Sequence, residues 1–172
     1  MKKYFSFAIA SLLMAAPMFL CSCGDDDDLI PDDNQEQVMT EWIEPYHEKN
    51  STPDDVKAYM ASSMKSHHLV NETHSTENVQ LAYSTRDINV GVLYSFSTVS
   101  GSLYSVIDTE LTINSPVVID YLQKHYSLVS SNKASLQNCF TTQDKSMVIT
   151  TVKVSETCLL YTPNPSHDYR EI

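Results

Sequence analysis

From residue 52 onward the chain alternates between two periodicities. Val56, Tyr59, Met60 and Met64 recur at helical spacing, and Ile119, Leu122 and Tyr126 repeat the pattern downstream. Each run opens with a start signal. Thr52 and Ser115 are suited to cap a helix because a hydroxyl can accept from an otherwise unpaired backbone N–H. Pro53 and Pro116 suit the first helical position, where a missing N–H costs nothing, and Asp54 and Asp55 complement the positive end of the helix dipole.

After each helix the period falls to two. Runs rich in Val, Ile, Thr, Tyr and Phe predict strands at 80–85, 89–98 and 102–113, and again at 137–142, 146–155 and 158–163. Arg86-Asp87 and Gln143-Asp144-Lys145 mark turns between them. Val90, Val92, Tyr94 and Phe96 share one face. In the corresponding later run Met147 and Ile149 agree, but Val152 and Val154 take the opposite parity, which predicts a bulge or a strand buried on both faces.

The two series resemble one another. Ala82-Tyr83-Ser84-Thr85-Arg86-Asp87 recurs as Cys139-Phe140-Thr141-Thr142-Gln143-Asp144, an offset of 57 that also matches Leu103-Tyr104-Ser105 with Leu160-Tyr161-Thr162. Thr52-Pro53 with Val56 recurs as Ser115-Pro116 with Ile119 at an offset of 63. The expected fold is α+β: two tandem helix-plus-three-stranded antiparallel meander repeats forming one compact domain. That domain would span 38–165, with repeats at about 52–113 and 115–163 and a tail at 166–172.

The N-terminus follows different rules. Lys2 and Lys3 precede an uncharged stretch, Tyr4 to Leu20, that contains Pro17 and gives way at once to polar residues. A membrane-spanning helix needs about 20 apolar residues, so the segment 1–22 is read as a cleaved signal. Leu20-Cys21-Ser22-Cys23 resembles the lipobox of bacterial lipoproteins. The resemblance implies lipidation at Cys23, because cleavage before Cys21 would put the bulky Leu20 where that family requires a small residue. Acyl chains at about 0.8 kcal/mol per buried CH₂ would hold the mature protein on a membrane. Residues 23–37 then form an acidic tether. Its run Asp25-Asp26-Asp27-Asp28 resembles the export signal of lipoproteins sent to the outer face of the outer membrane, which implies display toward the exterior. The periplasmic face is the alternative.

Charge narrows the partners. Loss of the leader takes the formal charge from −11 to −13, and seven of the acids lie in the tether, leaving fifteen acids against nine bases in the body. Nucleic-acid binding requires clustered Lys and Arg to displace phosphate counterions, and is excluded. Three glycines in the whole chain exclude a Gly-rich phosphate loop.

Candidate chemistry is sparse. His67, His68 and His74, placed at the end of the first helix and in the loop after it, could bind a metal with Glu72 and Glu77, but no HExxH or paired-cysteine pattern supports this. Neither a metal nor another cofactor is expected. No serine sits in a GxSxG elbow. Cys139 and Cys158 would lie two strands apart in a sequential meander, beyond the ~7 Å Cα separation that a disulfide tolerates. With ten tyrosines and one tryptophan, aromatic residues could form a binding face, although Tyr59, Tyr83, Tyr94, Tyr104, Tyr126 and Tyr161 fit core or cross-strand positions. Trp42 could staple the N-terminal segment onto the sheet.

Trp42-Ile43-Glu44-Pro45, the capped helix after it and the Tyr-rich strands together resemble uncharacterised exported lipoproteins of gut-type Gram-negative anaerobes. The tandem plan is similar in outline to β-lactamase inhibitor proteins, a likeness of architecture alone. The expected function is a surface-anchored, non-enzymatic module binding an extracellular protein or glycan. A glycan-acting enzyme or accessory protein and a structural envelope protein are the alternatives.

Overall fold

Thr52 and Asp55 build the start of the first helix. In the computed structural model, which describes residues 39–155 and 158–164, the Thr52 hydroxyl accepts from the Asp55 N–H while the Asp55 carboxylate accepts from the Thr52 N–H at 2.9 Å. Pro53 follows at the first helical position, and helix α1 runs Pro53–Ser62 with Val56 and Met60 buried. Four strands come next: β1 (His68–His74), β2 (Asn78–Ser84), β3 (Gly91–Ser97) and β4 (Leu103–Leu111). A single 3-10 turn, Thr112–Asn114, leads into α2 (Ser115–His125). Strands β5 (Ser127–Asn132), β6 (Gln137–Thr141), β7 (Val148–Lys153) and β8 (Cys158–Asn164) complete the described elements.

The expected fold of two tandem helix-plus-three-stranded repeats is corrected. All eight strands join one antiparallel sheet in the order β1-β2-β3-β4-β8-β7-β6-β5, and the helices are two short additions to it. β4 and β8 meet at the centre, with Asp108 opposite Tyr161 and Leu111 opposite Cys158. Left apart, each would present a row of unpaired backbone donors and acceptors; pairing satisfies both and fuses the two series into one sheet. Only β1 and β5 remain as edges.

Those two strands were absent from the expected set. β1 and β5 are exposed at every position, so neither carries the alternation that marks a half-buried strand. They exist because β2 and β6 offer them a ladder, and each contains a register shift, at Leu69/Asn71 and Leu128/Ser130. His68 and His74 therefore lie in a strand, not in a loop closing the helix.

Further corrections concern local detail. Ser115 is the first residue of α2 rather than its cap; Asn114 stands at the cap position without a side-chain bond to the helix. Val118 and Leu122 are the buried residues of that helix's face, while Ile119 is half-buried. β7 pairs with β6 and β8 without a register shift, so the parity change at Val152 is not a bulge. Thr151 takes the inward position there, its hydroxyl donating to the Leu136 carbonyl at 3.0 Å and accepting from the Asn138 amide at 3.0 Å.

Both helices pack on one face. Val56, Met60 and Met64 meet Leu81, Tyr83, Val92, Tyr94, Phe96, Leu103 and Val106 in one cluster. Val118 and Leu122 meet Phe140, Met147, Ile149, Leu159, Tyr161 and Trp42 in the other. No described helix covers the opposite face.

Candidate functional site: a charge-free sheet face and a buried acid pair

Strand pairing shows which side chains point away from the helices. On β2, β3 and β4 they are Asn78, Gln80, Ala82 and Ser84; Gly91, Leu93, Ser95 and Ser97; and Ser105, Ile107, Thr109 and Leu111. On β8, β7 and β6 they are Cys158, Leu160 and Thr162; Val148, Thr150 and Val152; and Gln137, Cys139 and Thr141. None is charged. Leu93, Ile107, Leu160 and Val152 form a half-buried aliphatic band across the middle, flanked by hydroxyl and amide groups. Tyr104 joins them at the margin, accepting from the Asn78 amide at 3.4 Å. The charged groups of the sheet mostly lie on the other side: Glu72 on β1, for example, pairs with Lys57 of α1 at 2.9 Å.

Tyr104 is also the residue that turns two acids inward. Ser95 lies opposite Ser105 but Phe96 lies opposite Leu103, so Tyr104 is an extra residue in β4. Beyond this bulge, Val106, Asp108 and Glu110 face the core, and both acids are buried, at 0% and 2% exposure. Both Asp108 oxygens and Glu110 Oε2 lack a hydrogen-bond partner among the described residues, as does the buried Nε1 of Trp42. Trp42 lowers the pKa of each acid, but burial dominates. Burial raises Glu110 to about 7 against the relief that Asn114 and Trp42 provide. Asp108 is driven well above the usual carboxylate range by burial and then by Glu110 beside it.

A second polar centre adjoins this one. Glu44 accepts from the phenols of Tyr126 at 2.9 Å, Tyr121 at 3.2 Å and Tyr161, while the Tyr59 phenol donates to its carbonyl at 2.8 Å. Burial first and the Glu44 charge second raise the pKa of these phenols, that of Tyr121 to about 12. Trp42 closes the cluster with edge contacts to Tyr121 and Tyr161, at ring separations of 5.2 and 4.9 Å. Beside it opens a cleft of about 380 Å³ lined by Glu41, Glu44, Glu48, Tyr46, Tyr59 and Tyr121, among others. Trp42-Ile43-Glu44-Pro45 is thus a docking segment: Trp42 fills the core and Glu44 collects three phenols.

The candidate histidine cluster, which was not expected to bind a metal, is not brought together. His74 and Lys57 both contact Glu72, whereas burial lowers the pKa of His67, whose Nε2 has no partner. Among the described residues no three metal-ligating side chains converge. Cys139 and Cys158 are free thiols on the helix-free face, each with its pKa raised by burial. Cys23 and Asp25, Asp26, Asp27 and Asp28 lie outside the described residues. No described helix is long and apolar enough to cross a membrane.

Sequence reasoning overlooked Asp108 and Glu110. Counted from Leu103 at period two, the inward set reads Leu103, Ser105, Ile107, Thr109 and Leu111, which puts both acids in solvent. No protein-family model, curated protein or solved structure matches this chain.

Proposed function

We propose that this protein is an exported, lipid-anchored binding module that docks a protein partner on the helix-free face of its sheet. One observation carries the reading: in a chain with a formal charge of −11, six adjacent strands present not one charged side chain on that face. Charge at the centre of an interface must be desolvated, and protein interfaces are depleted of it for that reason. The eight strands at ~4.8 Å spacing, five to nine residues long, give a face of roughly 30 by 20 Å. That approaches the ~800 Å² per partner of an ordinary stable complex. A protein fits better than a glycan, because sugars favour stacking on rings and Tyr104 is the aromatic residue on this face.

Lipidation at Cys23, with the acidic run Asp25 to Asp28 directing display on the outer membrane, would place the face before extracellular partners. The duplication belongs to the same proposal: Ala82 pairs with Leu93 and Cys139 with Thr150, both partners displaced by the same 57 residues. Binding is favoured over catalysis because Asp108 and Glu110, the adjacent acids with raised pKa, lie sealed in the core where no substrate reaches them.

The test introduces charge into the band. Leu93→Lys and Leu160→Glu in the full-length protein should abolish cross-linking to a defined surface protein, while Val99→Lys, in the exposed β3–β4 turn, should not. Equal loss in all three, retention in all three, or capture of free glycan would refute the reading. Self-association through this face would make the partner a second copy.

A further inference from the structure

The arm formed by residues 39–48 joins no strand ladder; side chains hold it, and its grip converges on the acid pair. The Met39 N–H donates to Asn114 Oδ1 at 3.0 Å, and Asn114 also interacts with Glu110. Trp42 buries its ring beside both acids, its N–H close enough to relieve their charge but outside hydrogen-bond geometry. Three orphaned carboxylate oxygens and one orphaned indole nitrogen therefore lie where the arm meets the sheet.

We propose that Asp108 and Glu110 form a proton-operated latch: when both are protonated the arm is docked, and ionising the pair releases Trp42 and the residues around it from the core. A buried neutral carboxyl is tolerable; two adjacent buried carboxylates are not, and the readiest way to hydrate them is to lift the segment lying over them. Among the described residues, Trp42 and, for Glu110, Asn114 relieve them only in part. From β3 the pair is faced by Tyr94, from β8 by Tyr161 and Cys158, and from the β2–β3 turn by Asp87. The arm adds Glu44, reached through Tyr161, and His47 next to Glu44. No lysine or arginine forms an ion pair with either acid among the described residues. With Glu110 raised to about 7, release falls near neutral pH.

Trp42 is the chain's single tryptophan, so it reports directly on the latch. In the full-length protein, raising the pH from 5 to 9 should shift its emission to the red with a midpoint near 7, while far-UV circular dichroism stays constant. Amide protection, corrected for the intrinsic rise of exchange with pH, should fall over the same range in residues 39–48 and hold in β3. Glu110→Gln and Asp108→Asn should each displace the midpoint, and the double variant should stay docked throughout. His47→Gln should leave the transition in place. The latch is overturned by an unchanging emission in the parent protein, by simultaneous loss of sheet signal, by midpoints unmoved in both single variants, or by a transition that disappears only in His47→Gln.

Discussion

Tyr161→Phe isolates the strongest polar tie between the arm and the sheet. The ring is buried in contact with Trp42, and phenylalanine keeps that packing while deleting the hydroxyl that donates to Glu44. Glu44 retains Tyr126 and Tyr121, so the carboxylate is weakened but not abandoned. Removing a hydrogen bond to a charged, poorly hydrated acceptor costs about 1.5–3 kcal/mol. A value of about 2 kcal/mol, at roughly 3–4 °C per kcal/mol for a body of this size, lowers Tm by about 6–8 °C. Tyr121→Phe should cost less, about 1 kcal/mol or below, since its bond is longer and its phenol lies at the cleft. The measurement is urea and thermal unfolding at pH 6, where the arm is docked, followed by Trp42 fluorescence. Pairing Tyr161→Phe with Glu44→Gln should give less than the sum of the two losses, because the same bond is removed twice. A Tyr161→Phe cost within about 0.3 kcal/mol of zero, or full additivity with Glu44→Gln, would refute the assignment of Glu44 as the arm's anchor.

Other outcomes can be stated more briefly. Because burial raises Glu110 from 4.5 to about 7, the native state holds a proton that the unfolded chain has lost between those values, so stability falls as pH rises through that window. The decline is about 3 kcal/mol, with Asp108 adding loss of the same sign, and Glu110→Gln should flatten it; equal slopes in urea titrations from pH 4 to 8 would contradict this. Gly91→Ala should destabilise by about 1–3 kcal/mol, because the new Cβ would collide with the Tyr83 carbonyl and push β2 from β3; a neutral effect in chemical denaturation would argue against that register. Cys23→Ala should release the protein into the soluble fraction, and continued membrane retention would sink the anchor. Neutral replacements at Asp25 to Asp28 should remove it from protease-accessible surface, an outcome that surface shaving of intact cells reads directly.

Local chemistry was legible where it depends on near neighbours. Thr52, Pro53 and Asp55 specify the start of α1 with three adjacent residues, and the alternation of Val90, Val92, Tyr94 and Phe96 sets the inward face of β3. What depended on distant partners could not be read in advance. β1 and β5 have no inward face of their own and become strands only because β2 and β6 pair with them. One sheet replaced two units because β4 and β8, about 50 residues apart in sequence, complete each other's hydrogen bonds. The acid pair shows the reason most clearly. Side-chain direction in a strand has period two, so the one extra residue at Tyr104 reverses every position after it, and only the pairing with β3 reveals that residue. That single insertion moved Asp108 and Glu110 from solvent to core and left the aliphatic band of Ile107 and its neighbours on the open face.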